Sequence, residues 1–322
     1  MADDAANPAP TSQDVHRIIT NRMRNGRPAR WEDDISRNGL ETEPFRNGEP
    51  PSTFSTAAVR GHPVWAEAAD LDPGLGLDAT LSRDTAPIPP SDDREGYRPG
   101  DDVAFWIKGL VDYLKVRAAI ERHGVTARSI LDFGCASGRV LRHYAFQGEY
   151  DVVWGSDLNH RHVRWLAEHM PGHVRPIGNH ALPALPLRDA SVDVLTAFSV
   201  FTHIDVFELH WLAELARVLR DGGLAYVTVH DESTWDMLTT DHPLAGRQRQ
   251  RLKDADADLA NRVGGPLPPG RSVARFTERG PYRAQAFHSS SYIEQVWGRY
   301  FEIAEVLPLH HNLQTVLCLR PR

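Results

Sequence analysis

The stretch ILDFGCASGRV, residues 130–140, decides how the rest of the chain is read. Ile130 and Leu131 lead as an apolar strand into Asp132. Gly134 and Gly138 then stand four apart, and the residues after them are suited to open a helix. A strand that turns into a helix N-terminus offers unpaired backbone N–H groups and the positive end of the helix dipole. Glycines in such a turn let the backbone approach a ligand with no Cβ in the way. Dinucleotide folds hold pyrophosphate there and place an acidic residue about 20 positions further on for the ribose. Asp157 occupies that position.

Outward from this stretch, apolar strands and helical patterns alternate, the signature of a doubly wound α/β sheet. A helix is predicted first, capped by Asp101 or Asp102. Val103, Trp106, Ile107, Leu110, Val111 and Leu114 lie on one face, and it ends near His123-Gly124. Strand one is expected over 129–133 with a helix over 138–146, strand two over 152–157 with a helix over 160–169, and strand three near 173–177. Strand four follows over 192–198 with an amphipathic helix over 207–219, and Asp221-Gly222-Gly223 turns into strand five, 224–230. Residues 232–283, rich in Arg, Asp, Gly and Pro, break the rhythm and read as an insertion. A helix near 290–299 precedes two strands, 301–307 and 313–319, which the short His310-His311-Asn312 connection makes an antiparallel hairpin; both histidines are expected in a solvent-facing turn.

The turn lacks the G-x-G-x-x-G spacing of a pyrophosphate site. Its Asp132 would repel a pyrophosphate but attract an ammonium. S-adenosylmethionine carries no phosphate; its ammonium suits Asp132, its carboxylate suits the helix N-terminus, and its ribose suits Asp157. ILDFGCASGRVL resembles motif I of the class I S-adenosylmethionine-dependent methyltransferases, and VVWGSDLN resembles their ribose-binding motif. HVRPIGNHALPALPLRDASVDVLTAFSVFTHI is similar to their adenine-side loop and fourth strand. LARVLRDGGLAYVTV is similar to their helix, Gly-Gly turn and fifth strand, and the terminal hairpin to the antiparallel seventh strand that ordinary nucleotide-binding sheets lack.

The resemblance covers roughly residues 103–231 and 284–320. It implies a seven-stranded, Rossmann-like sheet and a cofactor site of Asp132, Gly134, Cys135, Ala136, Ser137, Gly138, Asp157, Leu158, Asn179, His180 and Phe198. Ala136 stands where the family often has glycine, and Asn179 where it often has aspartate; the Asn179 oxygen can still accept from the adenine amino group. Cys135 reads as a small packing residue.

Methyl transfer from a sulfonium is an in-line displacement that depends on alignment and desolvation. A hydroxyl acceptor usually also needs a base, a role suited to histidine. Acceptors on this fold lie beyond the ends of strands four and five. His203 in SVFTHID, His230 and Asp231 after strand five, and His288 in AFHSSSY are therefore the catalytic candidates. Asp231-Glu232 has the composition of a metal site, but adjacent side chains need not converge, and no metal is expected. The leading expectation is an O-methyltransferase acting on a small molecule or saccharide unit. An amine acceptor, or a non-catalytic S-adenosylmethionine-binding module, is the alternative.

Composition narrows the partners. The net charge of −7 argues against nucleic acid, whose phosphates need a basic footprint. No apolar run approaches the roughly 20 residues of a membrane span. Two cysteines, Cys135 and Cys318, cannot build a disulfide framework, so a reduced, cytoplasmic protein of open oligomeric state is expected. Residues 1–100 carry 17 acidic and 11 basic side chains and 12 of the 23 prolines, whereas residues 101–322 carry 26 and 25 charges of each sign. The first hundred residues thus read as an irregular acidic extension, with a short helix near 14–23. Its Trp31, Phe45, Phe54 and Trp65 are candidate anchors onto a domain spanning 101–322.

Overall fold

The computed structural model describes residues 45, 54–98, 100–276 and 284–322. The expected helix at 14–23 and the anchor Trp31 lie outside them.

Seven strands form one sheet in the order β3-β2-β1-β4-β5-β9-β8. They are β1 (Ser129–Phe133), β2 (Val152–Asp157), β3 (Val174–Gly178), β4 (Val192–Ala197), β5 (Leu219–Val229), β8 (Phe301–His311) and β9 (Gln314–Pro321). Strands β1 to β5 pair in parallel, and β9 runs antiparallel to both β5 and β8. The antiparallel strand is therefore interior and β8 is the edge. All five residues of β1 and all six of β4 are buried, because helices cover both faces.

The helices, numbered along the chain, are α1 (Thr56–Arg60), α2 (Trp65–Leu71), α3 (Leu77–Arg83), α4 (Asp102–Arg122), α5 (Leu141–Gln147), α6 (His160–His169), α7 (Glu208–Val218), α8 (Glu232–Met237), α9 (Pro243–Ala255), α10 (Ala257–Ala260) and α11 (Ser290–Val296). Asp101 caps α4, its carboxylate accepting from Ala104 N at 2.8 Å. The predicted apolar stripe of α4 is buried apart from the half-buried Val103. Ala104, Phe105, Tyr113 and Val116 on its other faces are buried too. Part of the covering comes from the N-terminal segment, which forms the short helices α1, α2 and α3 where irregular chain was expected. Phe45 is buried and packs against His162 and Trp165, and Phe54 and Trp65 pack onto the same core.

Three more sequence expectations shift. The helix after β1 starts at Leu141, three residues late, because residues 135–140 are held as turns by bonds such as Gly138 N to Cys135 O at 3.0 Å. β5 begins at Leu219, which pairs with Val192 before a register shift that leaves residues 220–222 exposed. The insertion contains α8 to α10 and strand β6 (Arg271–Arg275), antiparallel to β7 (Ala284–His288). Trp235, Leu238, Leu252, Leu259, Leu267, Ala274 and Phe287 form a small separate core beneath it. Among the described residues, no helix is long and apolar enough to cross a membrane.

Candidate active site

The turn after β1 folds back onto β2. Gly134 N and Cys135 N both donate to Ser156 O, at 2.7 and 3.1 Å, and Ala136 N donates to Asp157 Oδ2 at 2.7 Å. The other carboxylate oxygen of Asp157 accepts from Asn159 N at 2.8 Å. Asp157 is thereby locked at the end of β2 beside the turn, where a ribose would meet it. Gly134 has φ +77°, and a Cβ there would stand 2.4 Å from Val200 Cγ2. This glycine is required by the protein's own packing as well as by its left-handed backbone. Ala136 adopts φ +46° without that freedom.

Asp132, at the end of β1, is 3% exposed. Burial pushes its carboxyl up to about 7, against the opposing hydrogen bond from Thr196 Oγ1 at 2.9 Å. It opens onto a small cleft lined by the turn residues Gly134, Cys135, Ala136 and Ser137, by Arg139, Val140 and Phe198, and by Arg94, Tyr97 and Phe105. Burial holds the Cys135 thiol well above its usual range, consistent with a packing role.

Arg94 and Tyr97 escaped the sequence reading; they lie in an aperiodic, Pro- and Gly-rich segment with no pattern to flag them. Residues 89–98 form a strap beside the cleft, which Arg94 and Tyr97 help to line. Arg94 Nε donates to Pro89 O at 2.8 Å and Nη1 to Arg98 O at 3.4 Å, and Nη2 pairs with Asp102. Tyr97 presents its ring to the Arg139 guanidinium at 4.2 Å and its hydroxyl to Ser199 Oγ at 3.0 Å. Ser199 in turn bonds the Gln314 side chain. Near Asp157, Asp93 pairs with Arg161 at 3.2 Å and Glu95 with His162 at 3.4 Å, and His162 stands 3.6 Å from Asp157.

Of the residues expected on the adenine side, Leu158 is half-buried and His180 exposed. Asn179 is buried, and its side-chain oxygen accepts from Ser156 Oγ at 2.7 Å, so it already ties β2 to the loop after β3. Phe198 contacts the rings of Tyr226 and His311. His311, expected to face solvent, is instead 2% exposed and pairs with Asp112 Oδ1 at 3.0 Å; α4 draws the hairpin connection inward.

The catalytic candidates cluster away from the turn, where β7 lies over the ends of β4 and β5. Ala286 N donates to Thr202 O, and His288 N to His230 O. His288 is fully buried and bonded to Glu208 Oε1 at 2.7 Å. His230 is 2% exposed, and burial followed by its histidine neighbours pushes it down to about 3. His203 is half-buried; burial pushes it down to about 4, and its Nδ1 bonds the Ala284 carbonyl at 2.8 Å. Asp231 caps α8 through Thr234 N, while Glu232 turns to Ser290, so the two carboxylates diverge.

Residues 130–223 match the family described as a methyltransferase domain. A search of curated proteins finds no match. Among solved structures, the chain is similar to an S-adenosylmethionine-dependent methyltransferase from Methanosarcina mazei, at 22% identity over 62% of this chain and 96% of that one, with a TM-score of 0.44. It is similar to the 1,6-didemethyltoxoflavin-N1-methyltransferase of Burkholderia thailandensis at 14% identity, 72% and 86% coverage and a TM-score of 0.44. It is also similar to a glycopeptide N-methyltransferase at 11%, 65%, 93% and 0.42.

The methyltransferase-domain match falls on the part of the chain that carries β1 to β4, the turn that lines the cleft with Asp132, and Asp157 bonded to that turn. The matched domain marks the chain as a methyltransferase, and S-adenosylmethionine is its cofactor. The residues present fit it: a buried carboxylate for its ammonium, a second at a strand end for its ribose, and a cleft backed by turn backbone.

Proposed function

We propose that this methyltransferase acts on a hydroxyl of a small molecule or saccharide unit, with His203 as the base. The observation that carries the reading is the chain Tyr97 Oη, Ser199 Oγ and Gln314 side chain at 3.0, 3.1 and 2.9 Å, beside the cleft-lining Phe198. These are neutral groups that both donate and accept, as a hydroxyl acceptor requires. The strap beside the cleft favours a small acceptor, shielded from water.

S-adenosylmethionine supplies an electrophilic methyl group on a sulfonium. Asp132, the 134–138 turn and Asp157 bind and orient the cofactor. Phe198 and Tyr97 exclude water, which strengthens every charge interaction inside. In this reading the hydroxyl proton is taken up by the His203 imidazole, which the Ala284 carbonyl orients through Nδ1. Depressed to about 4, this imidazole is neutral throughout the physiological range.

The test is release of S-adenosylhomocysteine with parallel panels of sugars, phenols and amines, on the wild type and His203→Asn. Turnover of hydroxyl acceptors, lost in the variant, supports the proposal. Turnover confined to amines and indifferent to His203 overturns it.

A further inference from the structure

Helix α5 runs only from Leu141 to Gln147 and begins three residues beyond the turn, so it offers no well-placed N-terminus for the cofactor carboxylate. A cation in the same cleft does. Arg139 is 6% exposed and lines the cleft with Asp132. Its Nη1 spends its protons on Lys108 O at 3.0 Å and Asp112 Oδ2 at 2.6 Å. Among the described residues, Nε and Nη2 make no hydrogen bond, so that edge of the guanidinium is uncommitted. An Nε–Nη2 edge presents two parallel N–H groups, the geometry that grips a carboxylate at both oxygens.

The arginine is also held still. Asp112, 2% exposed, grips it from behind and is steadied by His311, while the Tyr97 ring covers its face at 4.2 Å. Arg94, the other arginine of the cleft, is committed on Nε, Nη1 and Nη2 to the strap itself.

We infer that Arg139 is the carboxylate-recognising residue of the cofactor cleft, oriented by Asp112 and Tyr97. Together with Asp132 it makes the site selective for a zwitterionic amino-acid end. The inference rests on the S-adenosylmethionine assignment and extends it to a residue that acts in binding alone.

The test is calorimetric titration with S-adenosylhomocysteine and with 5′-methylthioadenosine, which keeps adenine, ribose and thioether but lacks the amino-acid end. Wild type, Arg139→Met, Arg139→Lys and the double variant Arg139→Met/Asp112→Asn are compared; the last leaves no unpaired carboxylate should the single variant unfold. Expected is a loss of about 10- to 100-fold for S-adenosylhomocysteine in the Met variants, partial recovery with lysine, and little change for 5′-methylthioadenosine. Equal losses for both compounds, or none in either, overturn the role of Arg139. Failure of the wild type to bind either compound overturns the cofactor assignment itself, and the role of Arg139 with it.

Discussion

Asp84 and Arg142 form a fully buried, two-pronged ion pair: Arg142 Nε meets Asp84 Oδ2 at 2.7 Å and Nη2 meets Oδ1 at 2.8 Å. Trp106 Nε1 adds a third bond to the same carboxylate. The pair rivets the N-terminal segment to α5, directly behind the cofactor turn. Removing one partner leaves the other charge buried and uncompensated, so Asp84→Ala is expected to cost about 3–5 kcal/mol in denaturant unfolding. Burial raises the Asp84 carboxyl, but Arg142 outweighs it and the net position lies below the ordinary range. A depressed carboxylate contributes stability that is present above the unfolded-state value of 3.8 and is lost as pH falls toward the folded one. Acid unfolding of the wild type should therefore be steeper than that of Asp84→Ala.

Gly109 of α4 lies against the backbone of the turn. A Cβ there would stand 2.1 Å from Arg139 O, a backbone atom with nowhere to go. Gly109→Ala should push α4 off the turn, costing about 1–3 kcal/mol or more. Because Lys108 O and Asp112 on the same helix hold Arg139, cofactor affinity should fall with it. Thermal melts with and without S-adenosylhomocysteine check both effects.

Asp132 is an acid whose folded value is raised, to about 7. Its contribution to stability is fully present below 3.8 and is lost as pH rises through about 7, where the buried carboxylate must ionise. An ammonium ligand prefers the ionised form, so S-adenosylhomocysteine affinity should climb as pH rises from about 5 to about 7. Asp132→Asn should abolish that climb, bind the ligand more weakly at neutral pH, and melt higher than wild type on the alkaline side. Calorimetry and melting curves across the range check the three together.

His203 and Asp132 separate in kinetics. With saturating cofactor and a hydroxyl acceptor, kcat should hold as pH falls until about 4, where His203 protonates. The Asp132 titration near 7 should appear in the KM for the cofactor. An acid limb in kcat near pH 7 that His203→Asn leaves in place would point to another base.

The parallel core and the glycine turn after β1 were legible because they follow local rules. An apolar run ending in Asp132, glycines at left-handed positions, and Asp157 at a second strand end are set by backbone geometry and by the sheet's periodicity. What escaped depends on contacts distant in sequence. The strap has no period; Tyr97 matters only because Ser199 and Arg139 meet it, the former 102 positions away. His311 looked like a turn residue until Asp112, 199 positions earlier, drew it inside. Asn179 and His288 were read for their chemistry, and in the fold both are engaged by neighbours, Ser156 and Glu208.

The most direct measurement is calorimetric titration of the purified chain with S-adenosylmethionine and S-adenosylhomocysteine, alongside Asp157→Ala and an NADH control. Saturable binding of both sulfur compounds, weakened in Asp157→Ala and absent for NADH, is the predicted result. A folded chain that binds neither, or binds NADH alone, contradicts the methyltransferase assignment and the role of every cleft residue derived from it.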